Sequence, residues 1–343
     1  MTTSSATNSK IRIFSGIQPT GRKHLGNYIG AITQYVAGQE RDDAEAIYCI
    51  VDLHAITVPY DPNELRERLY DTTAILLAAG LDPERCILFR QSDVQEHTEL
   101  CWLLGSVTSW GDLNRMHQWK DKREMLESRQ GAFVSSGLFN YPILQAADVL
   151  AYRADEVPVG DDQRQHIELM REVARRFNER YGDTLVVPEH RIPEVGARIM
   201  DLQDPTSKMS TTGGTEGGTL LVLDEPKVAT KKIMSAKTDS GAGVHRGEGK
   251  EGISNLIEIY AATRGVTPDD VEKEFEGSGY GDFKRAVAEA VVEYLTPVRE
   301  RYTELRSDEA ALEAALAAGA DRARAIASAT LADVRTAMGL GPV

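Results

Sequence analysis

Short apolar, β-rich runs alternate with segments of helical periodicity along the N-terminal part of this chain, and that alternation constrains its fold more than any other feature. Ile11-Arg12-Ile13-Phe14, Ala46-Ile47-Tyr48-Cys49-Ile50-Val51 and Cys86-Ile87-Leu88-Phe89 are each bounded by turn residues and followed by a helical pattern. Strands separated by helices pair in parallel through crossover connections, so the pattern predicts βαβ units and an α/β fold built on a parallel sheet. In open sheets of this kind a ligand sits beyond the carboxyl ends of the strands. That rule points to Gly16 to Thr20, Asp52 to His54, and Gln91.

After about Leu223 the texture changes to helix-forming stretches: Pro226 to Ser235, Gly252 to Ala262, Pro268 to Glu274, Phe283 to Arg306, and an Ala-rich run from Asp308 to Met338. The segment Asp239 to Gly252, with five glycines, reads as a loop. The expected organisation is a tail over residues 1–10, an α/β domain over 11–222 and an all-helical domain over 223–343. A length of 343 residues suits two domains, and 41% hydrophobic with 27% charged residues suits a buried core. The tail lacks a basic n-region and an apolar core, and the longest greasy stretch, Ala74 to Leu81, is too short to span a bilayer. Three cysteines without CxxC spacing argue for a reducing compartment and against a structural zinc site, so a cytoplasmic protein with no membrane association is expected. A net charge of −14 would not attract nucleic acid unless cations cluster. Arg171, Arg175, Arg176 and Arg180, and separately Lys227, Lys231 and Lys232, are either such clusters or solvated helix faces.

Four segments carry chemistry. Thr20-Gly21-Arg22-Lys23-His24-Leu25-Gly26-Asn27 follows the first strand: its glycines permit a tight turn, and a helix beginning near Gly26 would aim free N–H groups and its positive end at a phosphate. His24 and Asn27 could add donors there. Ser207-Lys208-Met209-Ser210-Thr211-Thr212-Gly213-Gly214 sets a lysine, a point charge on a flexible stem, in a loop that its glycines leave free to move. Tyr141-Pro142-Ile143-Leu144-Gln145-Ala146-Ala147-Asp148-Val149-Leu150 places a carboxylate inside an apolar run, where it must be paired or hydrogen-bonded. Val157-Pro158-Val159-Gly160-Asp161-Asp162-Gln163 follows another strand and opens a helix; Asp162 suits ribose hydroxyls, and the Asp pair equally suits helix capping.

The first two segments resemble the paired motifs of class I aminoacyl-tRNA synthetases, here HLGN and KMSTT, and residues 11 to 340 resemble the bacterial tryptophanyl branch of that class. The resemblance implies a Rossmann-like ATP and tryptophan domain, followed by a helical domain that reads the tRNA anticodon. It implies ATP and L-tryptophan as substrates, Mg²⁺ carried on the phosphates with no metal held by the protein, tRNA as the acceptor, and a homodimer. Carried over residue by residue, Lys208, Lys122, Asn27 and His24 would serve catalysis. ATP would contact Gln18, Pro19, Thr20, Gly26, Asn27, Gly160, Asp161, Asp162, Ile199, Lys208, Met209, Ser210, Thr211 and Thr212. Tryptophan would lie against Phe14, His54, Gln145, Val157 and Val159, with Asp148 on the indole nitrogen and Tyr141 and Gln163 on the α-amino group. Two positions depart from the family pattern. Thr211 stands where a second loop lysine is usual, which shifts phosphate binding toward Lys208 and Lys122, and Gln145 stands where many bacterial members carry methionine.

Overall fold

The computed structural model describes residues 10–128, 133–158, 160, 163–191, 198–211 and 213–341. Strand β1 (Ile11–Ile17) leads to α1 (Leu25–Asn27), which passes through a π-helical turn at Tyr28–Ile32 into α2 (Thr33–Gln39). Strand β2 (Ala44–Ile50) is followed by α3 (Asp52–Ala55) and α4 (Pro62–Ala78). After β3 (Ile87–Arg90) come α5 (Glu96–Gly105), α6 (Trp110–Arg115), α7 (His117–Glu127) and α8 (Ser136–Leu150). Then β4 (Glu156–Pro158), α9 (Arg164–Tyr181) and β5 (Glu189–Arg191) close the α/β half. The helical half comprises α10 (Pro226–Met234), α11 (Glu251–Arg264), α12 (Pro268–Glu274), α13 (Tyr280–Arg306) and α14 (Glu309–Ala337).

The five strands form one sheet in the order β3-β2-β1-β4-β5, every pair parallel. The Rossmann-like α/β class expected from the sequence is therefore the fold. β2 is buried at every residue except Glu45, which explains its continuous apolar run: both faces of a parallel sheet are covered. The chain winds outward from β1 to β3, returns to the other side of β1 and continues to β5. The crevice between the ends of β1 and β4 is thus the topological switch point where ligands bind in such sheets. Helix starts follow capping chemistry. Asp61 accepts from the N–H groups of Asn63 and Glu64 ahead of α4, with Pro62 in its first turn, and Ser135 accepts from Leu138 N–H ahead of α8.

Two apolar clusters hold the molecule. One joins Leu25, Ile32 and Leu76 of the α/β half to Ile233, Leu256, Phe283 and Val291 of the helical half; the other joins Phe89, Tyr152 and Phe177 to Ala323 and Ala327 of α14. The long α14 returns to lie along β3, an edge strand that it covers. Contact is so close at Gly319 that a β-carbon there would stand 1.8 Å from the Leu88 carbonyl oxygen. The Ala-rich composition of this helix is what lets its backbone approach the sheet. No helix among the described residues is long and apolar enough to cross a membrane.

Candidate active site

The two motif segments meet at the switch point. Leu25 N–H donates to Leu220 O at 2.8 Å and Val222 N–H to Lys23 O at 2.9 Å, so the strand-like stretch after the lysine loop lies against the first turn. Gly21 has φ +63°, in the left-handed region that favours glycine, and a β-carbon there would lie 2.7 Å from the Thr211 hydroxyl. Thr211 thus fills the space over Gly21. His24 caps α1: its Nδ1 accepts from Asn27 N–H at 3.2 Å, while Asn27 Oδ1 accepts from His24 N–H at 3.2 Å. Burial, then the charges of Lys208 and Lys23, push the His24 pKa down to about 4. At neutral pH the imidazole is uncharged, and with Nδ1 accepting, its proton sits on Nε2. The capping box therefore leaves His24 Nε2–H and Asn27 Nδ2 as donors for a ligand. At Gly26 the space a side chain would take is filled by the His24 ring at 3.1 Å and Ile199 at 3.5 Å.

Beneath this turn Lys23 is 7% exposed, and its Nζ donates to Gln18 O at 2.7 Å and Thr20 O at 3.4 Å, fixing the loop that includes Pro19. Burial, with Arg68 nearby and Asp71 opposing, lowers its pKa to about 8. In the lysine loop Met209 and Ile199 are buried, whereas Lys208 is exposed and makes no ion pair among the described residues. The glycines of this loop do more than confer mobility. Buried Asp201 accepts from the N–H groups of Gln203, Asp204 and Thr215, and a β-carbon at Gly218 would fall 1.7 Å from its Oδ1. Ser210 O accepts from Gly214 N–H and from the Thr219 hydroxyl, and Gly213 N–H donates to the Ser210 hydroxyl. The glycines let the loop fold around a carboxylate.

Asp148, 2% exposed, is the hub of the second half of the site. His97 Nδ1 and Gln91 Nε2 each lie 2.6 Å from Oδ1, and His54 Nε2 lies 2.7 Å from Oδ2. Gln91 is oriented by its own Oε1, which accepts from Leu53 N–H at 3.0 Å, and His97 Nε2 meets the Tyr152 hydroxyl at 2.6 Å. Burial alone would raise the Asp148 carboxyl, but the charge and hydrogen bonds of His54 and His97 outweigh it and hold the pKa at about 2. Asp148 is an acceptor-only anion at neutral pH. A carboxylate offers about four acceptor positions, and three are taken here. Among the described residues one acceptor position, on Oδ2, has no donor.

Tyr141, Gln145 and Asp148 sit at i, i+4 and i+7 on α8, one helical face. Tyr141 donates its hydroxyl to Gln118 Oε1 at 3.2 Å and meets His166 Nε2 at 2.7 Å. Gln145 Nε2 reaches Gln163 Oε1 at 3.5 Å. Lys122 Nζ stands 4.9 Å from the Tyr141 ring centre, its pKa lowered by burial. No contact among the described residues joins Lys122 to Lys208 or the first turn, so it belongs with the Asp148 side of the site. Phe14 stacks on Tyr152 with ring centres 5.4 Å apart, and Val157 shares their apolar cluster. Gly160, just past β4, accepts from Gln163 N–H at 3.0 Å. Val159, Asp161, Asp162 and Thr212 lie outside the described residues.

Sequence reasoning reached Gln91 through its place after β3, and missed His97, Tyr152, Lys23 and Asp201. Of the basic clusters, Arg176 pairs with Asp112 at 2.6 Å, Arg171 donates to Pro188 O, and Lys232 pairs with Asp224 at 2.7 Å. Lys227 and Lys231 are exposed cations without an ion pair among the described residues.

A sheet of this order, with a histidine-capped turn and an exposed lysine loop at its switch point and a buried ionised aspartate on α8, suits a nucleotide-dependent synthetase. The chain belongs to the class I tRNA synthetases of the tryptophan and tyrosine family, whose model matches residues 6–296. Within it, the following relatives, at 33% identity or more, are tryptophanyl enzymes. The chain is 50% identical over 334 residues to tryptophan–tRNA ligase 2 of Streptomyces avermitilis, covering 96% of this chain and 97% of that one. The tryptophanyl-tRNA synthetase structure from Mycoplasma pneumoniae superposes with a TM-score of 0.88 at 34% identity, covering 97% of this chain and 98% of that one. That from Campylobacter jejuni, complexed with ADP and tryptophan, gives 0.80 at 33% identity, covering 96% of this chain and 100% of that one.

Proposed function

We propose that this chain activates L-tryptophan with ATP and transfers it to the 3′ end of its tRNA, with the α/β half over 11–222 performing the chemistry and the helices over 223–343 reading the tRNA. The observation that carries the reading is the meeting of the two motif segments in a chain whose buried Asp148 is acceptor-only, with three of about four acceptor positions taken by described contacts. An indole offers one N–H donor and no acceptor, so it completes that set, whereas phenylalanine would leave the position unfilled in a buried site. Tyr141 and Gln163 take the α-amino group, and Phe14, His54, Gln145, Val157 and Val159 line the ring.

In the first step the tryptophan carboxylate attacks the α-phosphorus in line; the bond to the bridging oxygen breaks and pyrophosphate leaves. The attacking oxygen is already an anion, so no general base is needed. His24 donates as a neutral imidazole together with Asn27, and Lys208 follows the charge that grows on the leaving phosphates, with Lys122 assisting from the Tyr141 side. The rest of the ATP site is Gln18, Pro19, Thr20, Gly26, Gly160, Asp161, Asp162, Ile199, Met209, Ser210, Thr211 and Thr212. A Mg²⁺ carried on the phosphate oxygens would supply charge neutralisation there. In the second step a ribose hydroxyl of the tRNA attacks the acyl carbon and AMP leaves. The enzyme works in the cytoplasm as a homodimer. Trp102 and Trp110, 83% and 69% exposed on neighbouring helices α5 and α6, give an aromatic surface suited to a second copy.

The test is amino-acid-dependent exchange of labelled pyrophosphate into ATP. Exchange with tryptophan alone is expected. Exchange driven by another amino acid, or by none from folded protein that binds ATP, refutes the reading.

A further inference from the structure

The base of the lysine loop is a two-residue bridge with an unusual third partner. Met200 and Lys208 face each other as an antiparallel pair, flanked by hydrogen bonds from Asp201 N–H to Ser207 O at 2.9 Å and from Met209 N–H to Ile199 O at 3.1 Å. This is the narrow, non-hydrogen-bonded kind of pair, in which the N–H and C=O of each residue point away from the other strand. The outward groups of Met200 are both taken by one side chain. Asn255 Oδ1 accepts from Met200 N–H at 2.8 Å, and Asn255 Nδ2 donates to Met200 O at 2.9 Å. The carboxamide copies a peptide group and stands where a third strand would run.

Asn255 is well placed to hold that position. It is 4% exposed on α11, and its neighbours Ile253, Leu256, Ile257 and Ile259 are fully buried in the cluster shared by both halves. The short asparagine stem has few rotors to fix, so little freedom is lost in making two bonds. On the far side of the bridge Lys208 is exposed while Ile199 and Met209 are buried. The loop is rigid at its base and free at the lysine side chain.

We propose that Asn255 is a positioning residue for Lys208: by pairing with both backbone groups of Met200 it sets where the lysine loop hangs over the ATP turn, and it ties that loop to the helical half. The proposal rests on the reading of Lys208 as the group that stabilises the leaving phosphates. Asn255 itself touches no substrate. Its loss therefore acts on the rate of adenylation through Lys208 and spares the tryptophan pocket, which is built from α3, α5 and α8.

The experiment is a double-mutant cycle in the full-length protein, read by tryptophan-dependent pyrophosphate exchange. Asn255→Ala is expected to lower kcat about 10- to 100-fold with KM for tryptophan changed less than about twofold. In a Lys208→Ala background the same substitution is expected to cost less than about twofold, because the positioned group is gone. Asn255→Asp keeps the size and the acceptor for Met200 N–H but sets an oxygen against the Met200 carbonyl, so it is expected to be as slow as the alanine variant. It carries the test if alanine compromises folding. Hydrogen exchange should quicken in residues 199–209 of either variant while the amides of α11 stay protected. Full kcat in both variants, or an equal fold-loss with and without Lys208, overturns the proposal alone. An unchanged rate in Lys208→Ala overturns the reading of Lys208 and the proposal with it.

Discussion

Lys23 lies under the first turn with its ammonium buried, and Lys23→Met is the perturbation that separates what this charge costs from what it does. The pKa falls from 10.5 to about 8 because burial, and then Arg68, disfavour the charged form, with Asp71 opposing. A group whose folded pKa is lowered binds fewer protons folded than unfolded between those two values, so stability rises with pH across that window. At pH 7 the charge is present in both states and its cost is fully expressed: a fall from 10.5 to about 8, at about 1.4 kcal/mol per tenfold change in proton affinity, is about 3.5 kcal/mol. By pH 10 most of that cost is gone. Methionine removes the charge but also the donors to Gln18 O and Thr20 O, worth about 1 kcal/mol each. The variant is therefore expected to be about as stable as the parent, or slightly more so, at pH 7, and clearly less stable at pH 10. The difference between the two proteins should shift by about 2 to 3 kcal/mol toward the parent. Urea melts of both proteins at the two pH values measure this. KM for ATP should rise as the turn loosens, with KM for tryptophan unchanged. A stability difference that is the same at both pH values, within about 0.5 kcal/mol, refutes the argument, because Lys23 would then titrate like a surface lysine.

Four further outcomes follow from the geometry. Asp148→Asn puts an amide among three donors and should weaken tryptophan binding by about 1–3 kcal/mol, read by equilibrium binding; an unchanged dissociation constant would return Asp148 to a structural role. Because the carboxyl is held at about 2, its acceptor role is present above the ordinary carboxylate range and lost only as pH falls toward that value. Tryptophan affinity should accordingly show no loss from this group between pH 7 and about 5. Lys208→Ala should slow adenylation with tryptophan affinity unchanged, and single-turnover kinetics that show the reverse pattern contradict it. Gly319→Ala drives a β-carbon into the Leu88 carbonyl and should cost about 2–4 kcal/mol of stability in thermal or urea unfolding; a neutral result means that α14 can slide along β3.

What the sequence made legible was set by local pattern. β1, β2 and β3 were found because a strand covered on both faces is a continuous apolar run, and their ends moved by one to three residues when hydrogen bonding defined them. The five C-terminal helices were found from periodicity and Pro or Gly boundaries. Gln91 came from the rule of strand ends, and Tyr141, Gln145 and Asp148 share a face that their spacing already implies. The rest had no local signature. His97 reaches Asp148 from a separate helix, α5, with no spacing in the chain to relate them, and Tyr152, just past the end of α8, supports His97 rather than touching Asp148. Asn255 and Asp201 look like ordinary polar residues until the backbone groups they satisfy are known. Nothing in the sequence around Lys23 says that a lysine is buried there. The loop glycines were read as mobility, and the close packing of Gly218 on Asp201 is a contact that only the folded loop reveals.

The helical half braces the site from two directions. On the amino-acid side, Glu313 of α14 pairs with Arg90 at 2.9 Å and accepts from the Tyr70 hydroxyl at 2.9 Å, Arg324 donates to Asp93 O at 2.7 Å, and Arg335 pairs with Glu99. Arg90, Asp93 and Glu99 bracket Gln91 and His97, two of the three donors on Asp148. Partly exposed ion pairs contribute at most about 1 kcal/mol each, so the hold on this segment comes mainly from the buried Ala face of α14 and the Gly319 approach. On the nucleotide side, Arg306 and Tyr302 of α13 bond to Asp71 at 3.0 and 2.8 Å, beside Lys23, while Asn255 of α11 clasps the lysine loop. Two of the donors on Asp148 and the loop that carries Lys208 are thus fastened to the C-terminal helices. A displacement of those helices would move both, which couples Asp148 and Lys208 mechanically although no contact among the described residues joins them.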